Sequence, residues 1–123
     1  MKKGIIFNQR QTMTNVKNEI VKLLTNANIP LRDIQAASIT YSKDIIPESE
    51  YHWIMLYPGH TDKEFDQWLS KMNEINYYAG YGAQQLFGTI WLKNGLWITR
   101  GEYDGSEWWD LHKRPPLPKR DKS

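Results

Sequence analysis

Cysteine is absent from the 123 residues, which excludes disulfides, thiolate nucleophiles and Cys-based zinc sites. Histidine is scarce: His52, His60 and His112 are separated by eight and fifty-two residues, spacings that match neither a zinc motif nor a helical His-x-x-x-His pair. No apolar run approaches the roughly 18 residues of a membrane span, so a soluble chain is expected. The sequence has no G-x-x-x-x-G-K-[ST] phosphate loop and no G-x-S-x-G nucleophile elbow, and Gly80-x-Gly82 is too short for a dinucleotide fingerprint. Charge of one sign is also in short supply, with 16 Lys+Arg against 14 Asp+Glu. A net +2 is too small to read as a nucleic-acid footprint on its own.

What remains is a globule with 40% hydrophobic and 13% aromatic residues, of a length that builds one core without staples. Its charge is unevenly placed. Lys113, Arg114, Lys119, Arg120 and Lys122 against Asp121 give residues 113–123 a net +4, leaving −2 on the eleven cations and thirteen acids of residues 1–112. We therefore expect a single domain over 1–112 and a basic, Pro-rich, extended tail over 113–123. Pro115-x-x-Pro118-x-Arg120 formally matches a polyproline-recognition pattern, but a stiff solvated terminus explains it as well. Met1-Lys2-Lys3 is followed by only Ile5-Ile6-Phe7 before Asn8. No export signal is read there, and a cytoplasmic protein is expected.

Gly4 to Phe7 reads as a first strand. Thr12 or Thr14 then caps a helix whose apolar face is Val16, Ile20, Leu23, Leu24 and Ala27, ended by Asn28-Ile29-Pro30. Ile34–Tyr41 reads as a strand with a change of phase between Ala36 and Ala37, the mark of a bulge. Tyr51–Tyr57 is largely apolar on both faces, which suggests a central strand with a partly buried His52. His60 sits in a turn, and Thr61 with Glu64 forms the capping box of a second helix with Phe65, Trp68, Leu69, Met72 and Ile75 on its buried stripe. A Tyr/Gly loop over 76–82 precedes three strands joined at Asn94-Gly95 and Asp104-Gly105. The fold class is α+β: a mostly antiparallel sheet in the order β-α-β-β-α-β-β-β, two helices on one face, and a C-terminal three-stranded meander.

Two-residue turns fix the meander's register. The first sets Trp91 against Ile98 and Thr89 against Arg100. The second sets Arg100 against Trp109, Gly101 against Trp108, and Glu102 against Glu107. Arg100 over Trp109 makes a cation–π pair, and Gly101 leaves room for the indole of Trp108. Opposed glutamates are unfavourable; Arg100, diagonal to Glu107, is the simplest compensation, with a bound cation or a longer loop as alternatives.

The run Leu86-Phe87-Gly88-Thr89-Ile90-Trp91, then Arg100-Gly101-Glu102-Tyr103-Asp104-Gly105-Ser106-Glu107-Trp108-Trp109, closing on Pro115 and Pro118, resembles a group of small proteins of bacteriophages and related mobile elements. The likeness covers about residues 76–118. It implies an accessory protein acting in the bacterial host cytoplasm, and no catalytic residue is carried over from it.

Three functions are compatible with these residues. Glu102, Asp104, Glu107 and Asp110, with Arg100 and His112 nearby, could hold a divalent ion for phosphodiester cleavage, although the register puts Asp110 on the face opposite Glu102 and Glu107. Unpaired bases could stack on Trp97, Trp108 or Tyr103 with the tail on phosphates, making a single-stranded nucleic-acid module. The reading adopted is a non-enzymatic phage or prophage accessory protein, with no cofactor and no metal, that docks on a host protein or protein–nucleic-acid complex. A counter-defence inhibitor of the anti-CRISPR or anti-restriction type is one form of it. Six tryptophans and seven tyrosines exceed what a small core absorbs, and Trp, Tyr and Arg are enriched at hot spots. The contact residues expected are Tyr77, Tyr78, Tyr81, Arg100, Glu102, Tyr103, Trp108 and Trp109.

Overall fold

A computed structural model describes residues 13–42, 52–77, 84–103 and 106–114. Gly4 to Phe7, Tyr78, Tyr81, the Asp104-Gly105 turn and the tail from Pro115 lie outside the described residues. The elements are β1 (Thr14–Asn15), α1 (Val16–Asn26), β2 (Ile34–Tyr41), β3 (His52–Leu56), α2 (Asp62–Asn73), β4 (Asn76–Tyr77), β5 (Leu86–Leu92), β6 (Leu96–Tyr103) and β7 (Ser106–Lys113). The α+β class, the two helices and the C-terminal meander are as the sequence predicts. No helix among the described residues is long and apolar enough to cross a membrane.

The helix starts follow capping chemistry. Thr61 Oγ1 accepts from Glu64 N at 3.1 Å and Glu64 Oε1 accepts from Thr61 N at 2.8 Å, the reciprocal box read from the sequence. For α1 the cap is Asn15, whose Oδ1 accepts from Asn18 N at 3.0 Å, and not Thr12 or Thr14. Thr14 is instead engaged with Tyr77 in the two-stranded β1–β4 ladder, within what the sequence suggested was loop on the 76–82 side. Asn15 Nδ2 also donates to Asn73 O at 2.8 Å, joining the start of α1 to the end of α2.

The main sheet is antiparallel, in the order β3-β2-β5-β6-β7. Its inner face carries Ala37, Ile39, Ile90 and Ile98, packed in one core with Val16, Ile20 and Leu24 of α1 and Phe65, Trp68 and Met72 of α2. The expected bulge is present as a register shift between Ile34 and Ala36. Ala36, Ser38 and Thr40 therefore point to the outer face, opposite the helices.

Two expectations are corrected. His52–Leu56 lies at the edge of the described sheet, pairing with β2 alone; His52 is on the same side as Ile54 and Leu56 but at the strand's end, away from the helices over the core, and is exposed rather than partly buried. The β5–β6 connection takes three residues, Lys93–Gly95, with Asn94 at φ 64 and Gly95 at φ 75. The extra residue moves the register by one, pairing Thr89 with Thr99 and Trp91 with Trp97. The β6–β7 register is as read, from Tyr103 opposite Ser106 to Leu96 opposite Lys113.

Thr61→Ala removes one half of the reciprocal cap. It is expected to cost about 1 kcal/mol of folding stability in urea denaturation, with Glu64→Ala adding less than its own single effect when combined with it, because the two bonds close one motif.

Candidate functional site

Three of the expected contact residues are interior. Tyr77 is fully buried and Trp109 nearly so; the Arg100 side chain is 2% exposed and that of Glu107 0%. Arg100 and its cross-strand partner Trp109 leave the contact surface because the one-residue shift at Lys93–Gly95 turns them to the helix side of the sheet; Tyr77, in the β1–β4 ladder, is buried against Arg100 there.

There Arg100 Nη2 donates to Glu107 Oε1 at 2.8 Å and to the Tyr77 hydroxyl at 2.8 Å, while its Nε donates to Leu86 O at 3.3 Å. Tyr77 in turn donates to Glu19 Oε1 at 2.6 Å. Glu107 accepts from the backbone N–H groups of Gln85 at 2.8 Å and Leu86 at 3.2 Å. The guanidinium lies 4.5 Å from the Trp109 ring centroid and 5.3 Å from that of Tyr77. The compensation for opposed glutamates is thus the Arg100–Glu107 pair, and the cation–π contact read from the sequence is formed in the interior.

This chain of partners runs from α1 through β4 and β6 to β7 and the start of β5. Burial raises the Glu19 carboxyl above the usual carboxylate range, against the opposing pull of the Tyr77 hydroxyl, Arg100 and the Trp109 indole. The indole acts on it without a formed bond, since Trp109 Nε1 is buried with no partner in hydrogen-bonding geometry. Burial also pushes the Tyr77 phenol up, against the attraction of Arg100. Both Glu107 oxygens and Arg100 Nε and Nη2 are met by protein groups, while Arg100 Nη1 is buried without a hydrogen-bond partner; the cluster is a structural bolt.

The outer face has the opposite character. Its cross-strand pairs give rows of side chains: Trp53 beside Thr40 and Phe87, Met55 beside Ser38 and Thr89, and Ala36 beside Trp91, Trp97 and His112. Trp53 is 63% exposed, Tyr57 67% and Trp91 45%, with Met55 also exposed. Between Tyr57 and Trp91 the small Ala36 and Ser38 form the floor of a groove of ≈ 750 Å³, with Lys93 on its lining. Trp97 stacks on His112 with ring centroids 5.4 Å apart, and His112 Nε2 lies 2.7 Å from Thr99 Oγ1.

At the far end of this face Trp108 is exposed and its indole donates to Asp110 Oδ1 at 2.9 Å. The ring lies flat on Gly101, where any Cβ would collide with it. Tyr103 beyond it is exposed, as is Glu102 on the other face. Of the expected contacts the described structure therefore brings Tyr103 and Trp108 to the outer face. Trp53, Met55, Tyr57 and Trp91 were missed. For the first three the signal was the alternation Trp53, Met55, Tyr57, which puts these side chains on one side of the strand, the side opposite the helices; Trp91 joins them through its register with Ala36.

Among the described residues no group of three or more His, Asp or Glu could hold a metal ion. Glu107 is committed to Arg100, Asp110 lies across the sheet from it, and Asp104 falls outside the described residues.

Removing one member of the buried pair leaves the other charge unpaired. Arg100→Met and Glu107→Met are each expected to cost about 3–5 kcal/mol in urea denaturation, and the double variant less than their sum by about 1–3 kcal/mol; additivity would show that the two groups act independently. Glu19 holds its proton to higher pH in the folded state than in the unfolded chain. Its contribution is therefore full below the ordinary carboxylate range and declines as the pH rises through the raised value. Glu19→Gln lacks that decline, so its stability relative to the parent is expected to improve from acid towards neutral pH; parallel stability–pH curves would contradict the assignment.

Compared with known proteins, the chain matches no family, no curated protein and no solved structure.

Proposed function

We propose that this protein is a non-enzymatic binding module, an accessory protein of a phage or related mobile element, that docks on a host macromolecule through the outer face of its sheet. The carrying observation is that Trp53, Tyr57 and Trp91 are 45–67% exposed beside Met55 on and next to a hydrogen-bonded sheet. Scattered exposed hydrophobics are ordinary, but several large rings on one rigid face mark an interaction surface. A sheet holds such rings at fixed spacing, so little side-chain freedom is lost on binding. The setting rests on the likeness of residues 76–118 to mobile-element proteins, and counter-defence is the role that setting suggests.

The interior cluster supports the non-enzymatic reading in one respect. The strongest acid and base candidates of the meander, Glu107 and Arg100, are sealed against each other and have no access to a substrate.

The test compares the full-length protein with its Trp53→Ser/Tyr57→Ser/Trp91→Ser variant in affinity capture from bacterial lysate, analysing both protein and nucleic acid. The expected result is a retained macromolecule whose yield falls by about tenfold or more in the variant, the loss of one strong anchor's worth of affinity. Gln67→Ala, on the exposed side of α2, should retain it, and the urea midpoints should coincide. Equal retention by the parent and the triple variant would overturn the proposal.

A further inference from the structure

The row next to the β5–β6 turn differs from the rest of the outer face in its surroundings. From β3 to β7 it runs Tyr57, Ala36, Trp91, Trp97 and His112: Ala37 pairs with Leu56, placing Tyr57 beside Ala36, and the remaining neighbours are register partners. Five strands at about 4.8 Å spacing make the row about 19 Å long. Four of its five members are aromatic or imidazole rings, and the fifth is the smallest side chain that still packs, which opens the groove between Tyr57 and Trp91.

Cations collect at this end of the sheet. Lys93 lines the groove. Arg114 N donates to Gly95 O at 3.3 Å, bringing Arg114 against the same turn, while Lys113, the register partner of the core-packed Leu96, lies on the helix side. Neither Lys93 nor Arg114 is in an ion pair among the described residues. Two acids share the neighbourhood: Asp33, one residue before Ile34, whose register partner is Leu92, and Asp110, two residues from His112 on the outer face. Arg32, also on the groove lining, is held by Asp62 and Asp66 at 3.1 Å each. β7 ends here at Lys113, and in the sequence the nine residues after Arg114 carry Lys119, Arg120 and Lys122 against Asp121.

A line of stacking rings with cations at one end that form no ion pair among the described residues is the chemistry of a single-stranded polynucleotide, whose bases offer π-faces and whose backbone offers one negative charge per nucleotide. A protein hot spot needs the rings but not the flanking positive end, and a duplex offers phosphates but no free base faces. Resting on the outer-face reading above, we infer that the partner recognised there is single-stranded nucleic acid. Its bases stack along Tyr57, Trp91 and Trp97, and its phosphates lie against Lys93 and Arg114. The row has room for about two or three bases, the number stacked by a four-stranded RNA-binding sheet.

The experiment is fluorescence anisotropy with labelled oligothymidylate and oligouridylate of roughly ten nucleotides, using the full-length chain at several salt concentrations. Binding is expected at low salt, with log affinity falling linearly with log salt. An unlabelled duplex should compete at least about tenfold less well than the single strand. Trp91→Ser should weaken binding by about tenfold or more with little change in salt slope, the loss expected for one stacked base. Lys93→Gln should leave stacking intact while lowering the slope by about one. Circular dichroism and urea midpoints establish that both variants fold, and each substitution is at an exposed position.

No binding at low salt, equal competition by the duplex, or a Trp91→Ser variant that binds as the parent does would each overturn the inference. If oligonucleotides fail while lysate capture still depends on the three outer rings, the partner is a protein and the binding-face proposal stands without this one. If capture is also indifferent to those rings, both fall.

Discussion

The buried Arg100–Glu107 pair is the constraint around which the C-terminal half is arranged. Two charges removed from water are tolerated only if most of their remaining donors and acceptors are met; here all but Arg100 Nη1 are, and the partners come from several separate elements: Tyr77 on β4, the Gln85 and Leu86 backbone at the start of β5, and Trp109 on β7. Tyr77 passes the network on to Glu19 of α1. The pair thus locks the helix layer to the meander and fixes which side of β6 and β7 faces inward. Once Arg100 and Trp109 point to the helices, alternation sends Trp97, Gly101, Trp108 and His112 to the other side. The outer face is a consequence of the inner bolt.

That dependence explains which parts of the fold were legible in the sequence. The Asp104-Gly105 signal gave the right β6–β7 register because Tyr103 and Ser106 are directly opposed. The Asn94-Gly95 signal marked the right turn but missed the inclusion of Lys93, which lengthens the loop to three residues. In a sheet a slip of one residue exchanges the two faces. The two-residue reading set Arg100 against Thr89, an outer-face residue, and so made Arg100 a surface contact. No local property of the Asn-Gly dipeptide distinguishes the two loops, since both use left-handed residues at the same place. The choice is made by the tertiary demand to bury Arg100 beside Glu107.

The same limit applied to the segment around Trp53. Its two faces are both rich in apolar residues, and periodicity alone does not separate a strand buried on both sides from one that has a layer on one side and displays its rings on the other. The helices were legible because their signals are local. Thr61 with Glu64 is a bond pattern within four residues, and Val16, Ile20 and Leu24 are one stripe whatever they pack against. The excess of rings over what the core can hold was legible from composition, and the described structure does leave several of them exposed. Which rings those are depended on strand order, which no short window encodes.

The net charge of the domain argues less against a polyanionic partner than it first suggests. The negative balance of residues 1–112 is a sum over the whole surface, whereas charges in physiological salt act over about 8 Å. Along β6, Leu96 and Glu102 are separated by six residues, about 20 Å of extended chain, so Glu102 at one end is screened from the turn at the other. The Arg100–Glu107 pair cancels within itself, and Asp62 and Asp66 are occupied by Arg32. What a strand approaching the Tyr57–Trp91 groove encounters is therefore the local set of Lys93 and Arg114 at the β5–β6 turn, with Asp33 before β2 and Asp110 farther along the face on β7. The physical question at this face is the sign of the charge within one screening length of the Tyr57 and Trp91 rings, and not the sum over the domain.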